Sequence, residues 1–231
     1  MCREDGDMND DFFKFPSTPH LAILDGIEIR DDKVLSEFER DEFLQHNIVV
    51  EEKVDGANLG ISFDSKGNIR AQNRGAYLDL PAFGQWRKLG EWLLPRTDFL
   101  FEQLTDRYIL FGEWCYAQHS VFYDRLPDWF LGFDIFDKQS SHFLSSNRRD
   151  DLCRTMHIAQ VPVIARGRFT FPELKKLLFQ SKFTDLPAEG LYLRLDQNGW
   201  MAQRAKLIRS AFIQSMEQHW SHSAVKPNRL S

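Results

Sequence analysis

Two strand–turn–strand patterns constrain the fold of this 231-residue chain more than any other feature of its sequence. In each pattern, two segments rich in apolar residues flank a turn rich in Asp, Asn and Gly. The successive segments are Asn58–Phe63, Asp64–Asn68 and Ile69–Asn73 in the first pattern, and Leu191–Leu195, Asp196–Gly199 and Trp200–Ile208 in the second. Turns of this composition connect neighbouring antiparallel strands, so the sequence predicts two β-hairpins.

The other elements alternate irregularly between strands and helices. Runs of β-branched and apolar residues predict strands, and apolar residues at helical spacing predict helices. The strands are predicted at Asn47–Val54, Arg107–Trp114 and Trp129–Asp137, and the helices at Gln85–Leu94, Thr97–Leu104, Asn147–Met156 and Phe171–Gln180. Hairpins with interspersed helices indicate an α+β domain. A doubly wound parallel sheet is not expected, because the sequence has no glycine-rich turn of the dinucleotide or Walker type.

The composition is that of a globular protein outside the membrane. The hydrophobic fraction of 42% and the charged fraction of 27% exclude a disordered or fibrous chain. No apolar run reaches the roughly 18 residues of a membrane helix, and the acidic N-terminus lacks the features of a signal peptide. Cys2, Cys115 and Cys153 are odd in number and share no metal-binding spacing. We therefore expect a reduced, cytoplasmic protein.

The net charge of −5 is unevenly distributed. Residues 1–42 contain 13 acidic and five basic residues, so the rest of the chain carries a net charge of +3. This asymmetry leaves room for a local basic groove, although the overall charge is negative. Charge alone is equally consistent with a solvated acidic leader and no groove.

A lysine at the end of an apolar strand is the most informative single residue. Lys53 lies in the segment Glu51–Asn58, and burying a lysine is costly unless its amine is neutral or has a partner. Four further segments with charged or aromatic residues follow on predicted strands. They are Phe111–Trp114, Phe133–Phe136, Glu189–Arg194 and Arg204–Lys206. The order and spacing of all five segments point to one site.

These segments resemble the motifs of covalent nucleotidyltransferases, the superfamily of polynucleotide ligases and messenger-RNA capping enzymes. The resemblance is closest to ATP-dependent RNA ligases, in particular a compact bacterial single-domain group, and it extends to Thr18–Leu21, Tyr116–Pro127 and Pro227–Leu230. It implies an α+β adenylyltransferase domain, an ATP-grasp-like nucleotidyltransferase built on antiparallel sheets with flanking helices.

The resemblance also implies how the chain is divided. We expect a flexible acidic N-terminus at residues 1–14 and a single nucleotidyltransferase domain at residues 15–231, making a complete protein. Only 22 residues follow Arg209, which is too few for a C-terminal oligonucleotide-binding barrel.

By resemblance, Lys53 is the nucleophile that attacks the α-phosphorus of ATP and forms a lysyl-AMP. Such a lysine must lose its proton, so we expect nearby cations and partial burial to depress its pKa. Asp55 is implied to shape the adjoining turn and to orient water on a metal. Lys206 and Arg204 are implied to contact the α-phosphate, although many members have lysine where this chain has Arg204. A salt-bridged Lys53 and an outward-facing Lys206 are the alternatives.

The resemblance assigns a nucleotide-binding role to five other residues. Glu189 is the implied ligand of Mg²⁺ or Mn²⁺, and Glu113 the implied contact of the ribose hydroxyl. Phe133 is implied to stack on adenine, Arg74 to hold the nucleotide and the incoming 5′-phosphate, and Glu52 to belong to the same cofactor site. Structural salt bridges of the glutamates, core packing of Phe133 and a surface position of Arg74 are the alternatives.

The histidines give weaker signals. His119 lies beside a predicted site strand, but the implied chemistry requires no histidine, and a packed histidine is the alternative. His219 and His222 have helical metal-ligand spacing but lack a third ligand.

The function implied is that of an ATP-dependent RNA ligase, which joins RNA 3′-OH and 5′-phosphate ends in RNA repair. Lys53 is adenylylated, AMP passes to the 5′-phosphate, and the 3′-OH displaces it. The implied cofactors are ATP and Mg²⁺ or Mn²⁺, and an end-healing polynucleotide kinase is the suggested protein partner. DNA nick sealing, guanylyl transfer and a catalytically inactive RNA-binding module remain the alternatives.

Overall fold

Two antiparallel sheets form the framework of the protein. The computed structural model describes residues 12–24, 33–178, 181–210, 212 and 225–231. Within these residues the strands are β1 (Ile48–Lys53), β2 (Ala57–Phe63), β3 (Ile69–Gln72), β4 (Tyr108–Trp114), β5 (Phe130–Asp137), β6 (His142–Phe143), β7 (Val163–Gly167), β8 (Gly190–Gln197) and β9 (Trp200–Ile208). One sheet has the order β7-β1-β8-β9 and the other β3-β2-β4-β5-β6. Every neighbouring pair is antiparallel.

Short helices flank the two sheets. Their bounds are α1 (Glu37–Leu44), α2 (Leu89–Leu93), α3 (Thr97–Leu104), α4 (Ser146–Thr155) and α5 (Phe171–Lys176). Helices α1 and α5 begin with capping boxes, in which the side chains of Ser36 and Thr170 accept hydrogen bonds from the third helical amide. The α+β class with antiparallel sheets, predicted from the hairpin patterns, is confirmed.

The two predicted hairpins are present, but two predicted helices differ from the structure. The segment Gln85–Leu94 is divided into a 3-10 turn at Gly84–Trp86 and the five-residue helix α2. The helix predicted to end at Gln180 ends at Lys176, since the chain leaves the helix at Leu177. Apolar spacing locates a helical region without fixing where the hydrogen-bonded turns stop.

Three elements have no counterpart in the sequence-based prediction. Helix α1 is mostly polar, and strand β6 contains only two residues. Strand β7 lies at the edge of its sheet and is half-exposed, so it lacks the continuous apolar run of a central strand.

Each sheet has its own apolar core. Phe43 of α1 and Leu174 of α5 pack with the β1-β8-β9 sheet. Trp92 of α2 and Leu100 of α3 pack with Trp114 and its sheet. Across the described residues, every helix is too short or too polar to cross a bilayer.

The N-terminal segment packs against the second sheet before residue 15. The ring of Phe13 stacks on Phe136 with 3.8 Å between centroids. Phe15 is buried and meets Phe133 edge-on at 5.4 Å. The predicted boundary between residues 14 and 15 therefore lies inside an aromatic cluster, while residues 1–11 lie outside the described residues.

A buried cluster of four charged residues joins the two sheets. Glu51 and Arg194 belong to the first sheet, Asp134 belongs to the second, and Arg149 comes from α4. Arg149 donates to Glu51 at 2.6 Å, and Arg194 is bonded to Asp134. All four side chains have no exposed surface. Buried charges of this kind are tolerated only in pairs, so the cluster fixes the two sheets against each other.

We expect Arg194→Leu to lower the free energy of unfolding by about 3 kcal/mol or more, because it removes a fully buried counter-charge of Asp134 and leaves the two carboxylates of the cluster with less positive charge. Urea denaturation of the variant measures this loss. Arg154→Leu is the matched control, because Arg154 forms an exposed pair with Asp151. A loss for Arg194→Leu no larger than the control's roughly 0.5 kcal/mol would contradict the role of the cluster.

Candidate functional site

An open cavity lies between the two sheets and is lined by residues of both. Its wall contains both apolar and charged side chains. They are Phe15, Thr18, Glu52, Lys53, Val54, Asn58, Arg74, Glu113, Phe133, Val161, Tyr192 and Lys206. Six of the residues predicted for the site are in this wall, namely Glu52, Lys53, Arg74, Glu113, Phe133 and Lys206.

Lys53 is the last residue of β1 and lies opposite Gly190 of β8. This register brings the preceding residue, Glu189, next to the lysine. The Lys53 Nζ donates a hydrogen bond to Glu189 Oε2 at 2.7 Å. The lysine side chain is 24% exposed and the Glu189 side chain 8%, so the pair lies mostly out of solvent.

The predicted depression of the Lys53 pKa is wrong for this structure. Burial opposes the charged amine, but attraction to Glu189, Glu113 and Asp55 outweighs it and raises the pKa of Lys53 above its ordinary value. The reason is that the nearest charged neighbours are carboxylates rather than the expected cations.

The two glutamates nearest to Lys53 are unusually basic. Burial raises the pKa of Glu113 to about 7 and that of Glu189 to about 7, and the repulsion between nearby carboxylates adds to it. The positive charge of Lys53 lowers the pKa of both glutamates. Arg74 also lowers the pKa of Glu113, and Lys206 lowers that of Glu189. The cavity therefore has less positive charge than its carboxylates would need to ionise at their ordinary pKa.

Glu52 has a different environment from that of the other glutamates. Its carboxylate accepts hydrogen bonds from Ser181 Oγ and from the Lys182 amide, the latter at 2.9 Å. Burial is nevertheless the dominant influence and raises the pKa of Glu52. Glu52 thus joins β1 to residues 181–182 at the edge of the cavity.

Two glycines of the predicted motifs allow strands to approach closely. A Cβ atom on Gly56 would lie 2.7 Å from the Trp114 carbonyl oxygen, and one on Gly190 would lie 2.3 Å from that of Leu207. Both distances are too short for a side chain. The glycines after Asp55 and Glu189 are therefore required for packing the site strands together.

Asp55 lies beside the cavity and outside its wall. Its Oδ2 accepts hydrogen bonds from the amides of Ser120 at 2.7 Å and Val121 at 2.8 Å. Its own amide donates to the Tyr123 hydroxyl at 2.8 Å. Asp55 therefore fastens the turn after Lys53 to residues 120–123.

Phe133 and Lys206 lie in the cavity wall on different sheets. Arg149 and Arg194 hold the carbonyl oxygen of Phe133 at 2.7 Å and 2.9 Å, so the buried charge cluster also sets the position of this ring. Lys206 pairs with Tyr192 across the β8-β9 hairpin, and both side chains reach the cavity.

Arg204, like Asp55 and Glu189, is a predicted site residue that lies outside the cavity wall. Its guanidinium donates to Asp134 at 3.2 Å and to the Pro16 carbonyl at 3.2 Å. It also lies over the rings of Phe15 and Phe143. The buried carboxylate of Asp134 attracts this second arginine, which leaves Lys206 as the cation of the Arg204–Lys206 segment in the wall.

Asn58 is a cavity residue that the sequence reasoning did not single out. It is 8% exposed and lies in the cavity wall. Neither of its amide atoms has a hydrogen-bond partner among the described residues. A buried amide without partners is costly, so Asn58 is available to bind a polar ligand. The sequence feature that indicated a site role for Asn58 was its position at the end of the Glu51–Asn58 segment.

His119 packs beside the cavity. Its Nε2 lies 2.9 Å from Gln85 Oε1, and burial lowers the pKa of His119. His219 and His222 lie outside the described residues. Among the described residues, no three His, Cys, Asp or Glu side chains are grouped to hold a metal by themselves.

Comparison with known proteins identifies the family. A model of the RNA ligase family matches residues 46–208. Among curated proteins, none matches the sequence of this chain.

Three solved structures of a Naegleria gruberi RNA ligase are similar in fold. A mutant with ATP and Mn is 18% identical with a TM-score of 0.61, covering 77% of this chain and 54% of that one. A mutant with AMP and Mn is 18% identical with a TM-score of 0.60, covering 78% and 54%. The enzyme with PPi is 17% identical with a TM-score of 0.60, covering 94% and 64%. The chain thus spans about half the length of the first ligase structures it matches.

Because the RNA ligase model matches more than two thirds of its 231 residues, this chain belongs to the RNA ligase family.

Proposed function

We propose that this protein is an ATP-dependent RNA ligase that works through a lysyl-AMP at Lys53. The observation that carries the proposal is the position of the Lys53 amine. It is largely buried in a cavity whose wall also contains an aromatic ring, Phe133, and two cations, Arg74 and Lys206. This combination suits a nucleotide, which has a flat base and negatively charged phosphates.

In the first step, the Lys53 nitrogen attacks the α-phosphorus of ATP. A P–N bond forms while the bond to the bridging oxygen breaks, and pyrophosphate leaves. The reaction requires the neutral amine, yet the three carboxylates around Lys53 favour the charged form. The first step therefore depends on added positive charge near these carboxylates.

A divalent metal ion fits that need. Glu189 and Glu113 offer hard carboxylate oxygens, and burial raises the pKa of each to about 7, an effect that nearby positive charge would oppose. We propose Glu189 as the ligand of Mg²⁺ or Mn²⁺, consistent with the manganese-bound structures of the Naegleria ligase. When bound, the metal supplies positive charge beside Lys53 and so lowers the pKa of its amine.

The other cavity residues bind the nucleotide. We propose that Phe133 stacks on adenine, Glu113 meets the ribose hydroxyl, Lys206 contacts the α-phosphate and Arg74 receives the 5′-phosphate of RNA. Glu52 holds residues 181–182 at the edge of this site. Arg204 supports it indirectly, through Asp134.

In the second and third steps, AMP passes from Lys53 to an RNA 5′-phosphate, and an RNA 3′-OH displaces it. We place this activity in cytoplasmic RNA repair, with residues 15–231 acting as the nucleotidyltransferase domain and an end-healing kinase preparing the ends. Membership of the RNA ligase family favours this function over DNA sealing, guanylyl transfer or an inactive RNA-binding role.

We predict that Lys53→Arg abolishes the transfer of label from α-labelled ATP to the protein, because guanidinium stays charged and is no nucleophile. Lys66→Ala is the matched control, since Lys66 is exposed in a hairpin turn. Gel analysis after incubation with Mg²⁺ measures the label. Undiminished labelling of Lys53→Arg would refute the assignment of the nucleophile.

The same assay distinguishes the alternative functions. Labelling by α-labelled GTP in place of ATP would indicate guanylyl transfer. Nicked duplexes with RNA or DNA on the 3′-OH side then show which strand is sealed. Sealing of the RNA strand is the expected result, and sealing of DNA alone would contradict an RNA ligase.

We predict that Phe133→Leu weakens ATP binding by about tenfold, since stacking on an aromatic ring contributes on the order of 1–3 kcal/mol per base. Titration of the protein with ATP measures the dissociation constant. Phe83→Leu is the control, because Phe83 is 84% exposed and lies outside the cavity wall. Equal affinities of the two variants would show that Phe133 serves only in packing.

Glu113→Gln should stabilise the protein above pH 7 and have little effect near pH 4.5. Because the pKa of Glu113 is raised to about 7 in the folded protein, the folded state binds more protons than the unfolded state in this window. Stability is therefore lost as the pH rises from about 4.5 to 7.

Thermal unfolding at pH 5 and pH 8 tests this pH dependence. We expect a gain on the order of 1–3 kcal/mol at pH 8 for Glu113→Gln. Glu102→Gln, at an exposed position of α3, should give no gain at either pH. A larger gain at pH 5 than at pH 8 would reverse the predicted sign.

A further inference from the structure

Residues 225–231 form a segment that lies along the chain between Cys115 and Leu126. Short β-bridges pair Ala117 with Pro227 and Leu126 with Leu230. Backbone hydrogen bonds connect the two segments along their length. They join Gln118 to Lys226, Asn228 to Tyr116, Arg229 to Tyr123, Leu126 to Arg229 and Ser231 to Leu126. The segment 115–126 is therefore held from one side by residues 225–231.

Asn228 is the centre of this contact. It is 3% exposed, and its side-chain oxygen accepts a hydrogen bond from the Tyr123 amide at 2.9 Å. Its side-chain nitrogen donates to the carbonyl oxygens of Cys115 at 2.8 Å and Ala117 at 3.2 Å. One carboxamide thus closes residues 115–123 into a loop by satisfying three buried backbone groups.

The loop 115–123 forms hydrogen bonds with the turn that follows Lys53. The Tyr123 hydroxyl accepts the hydrogen bond of the Asp55 amide, and the amides of Ser120 and Val121 donate to the Asp55 carboxylate. Asp55 is held from two directions by one loop. Lys53 lies two residues before Asp55 in the chain.

We propose that Asn228 is a positioning residue for the reaction of Lys53, acting through the loop 115–123 and Asp55. This inference rests on the proposed function, because it concerns the formation of the lysyl-AMP. Asn228 fixes the loop so that its amides and the Tyr123 hydroxyl meet Asp55. Asp55 in turn sets the direction in which the end of β1 presents the lysine amine to the α-phosphate.

The geometry requires a carboxamide at this position. Asn228 must accept from one backbone amide and donate to two backbone carbonyls, which asparagine does with one side chain. Aspartate has the same shape but cannot donate, so its carboxylate would face the two carbonyl oxygens of Cys115 and Ala117. Alanine would leave all three backbone groups without partners.

The test is the single-turnover rate of lysyl adenylylation at saturating ATP, measured for the full-length chain. We expect Asn228→Asp and Asn228→Ala to lower this rate by about tenfold or more, the effect of roughly 1.4 kcal/mol on the barrier. The dissociation constant of ATP should change little, because Asn228 lies outside the cavity wall. Lys226→Ala is the control, since its backbone contact with Gln118 is kept and its side chain is exposed. Its rate should equal that of the wild type.

A purely structural role for Asn228 makes a different prediction. It would lower the melting temperature and leave the rate of the folded fraction unchanged, and that result would overturn the proposal. Tyr123→Phe keeps the 225–231 segment and removes only the hydroxyl that binds the Asp55 amide. This variant must also react slowly, and it tests the route even if the Asn228 variants fail to fold.

The double variant Asn228→Ala with Tyr123→Phe tests whether the two residues act through one path. Relative to the wild type, we expect the double variant to be slowed by less than the product of the two single-variant factors, because both changes release Asp55. Fully multiplicative effects would refute the shared route. If the wild type itself takes up no label, the proposed function fails. If the wild type is labelled and the variants react at the same rate, only the positioning role fails.

Discussion

The buried charge cluster between the two sheets is the interaction on which the site depends. Glu51 is two residues from Lys53 on β1, and Asp134 follows Phe133 on β5. Pairing the two carboxylates with Arg149 and Arg194 therefore fixes the position of Lys53 relative to Phe133 in the cavity wall. Since the carboxylates are fully buried, sliding of one sheet past the other would expose unpaired charge to a low-dielectric interior.

The second organising feature is the acidity of the cavity around a single amine. Carboxylates of Glu189, Glu113 and Asp55 stabilise Lys53 as a cation, which is the unreactive form. In the proposed reaction, these carboxylates would keep the Lys53 amine protonated until a nucleotide and a metal ion bring positive charge to the site. The same carboxylates would bind the metal ion under this proposal, so one set of charges would both restrain the amine and attract the cation.

The sequence predicted strands β1, β4 and β5, the two hairpins and the lysine segment, because these depend on local patterns and on residues within a few positions of each other. It did not predict the surroundings of Arg204, whose partner Asp134 lies 70 positions away in the chain. Asn228 donates a hydrogen bond to Cys115, which lies 113 positions earlier in the chain. The buried amide of Asn58, which has no hydrogen-bond partner in the described part of the chain, and the acidic surroundings of Lys53 likewise emerge only when distant segments meet in the folded chain.

The central claim is that one amine, that of Lys53, forms a covalent bond to AMP. Peptide mapping by mass spectrometry after reaction with ATP and Mg²⁺ tests it most directly. The account predicts an AMP adduct on the peptide that contains Lys53, and its disappearance when RNA with a 5′-phosphate is added. An adduct on a different residue, or RNA sealing without any adduct on the protein, would contradict it.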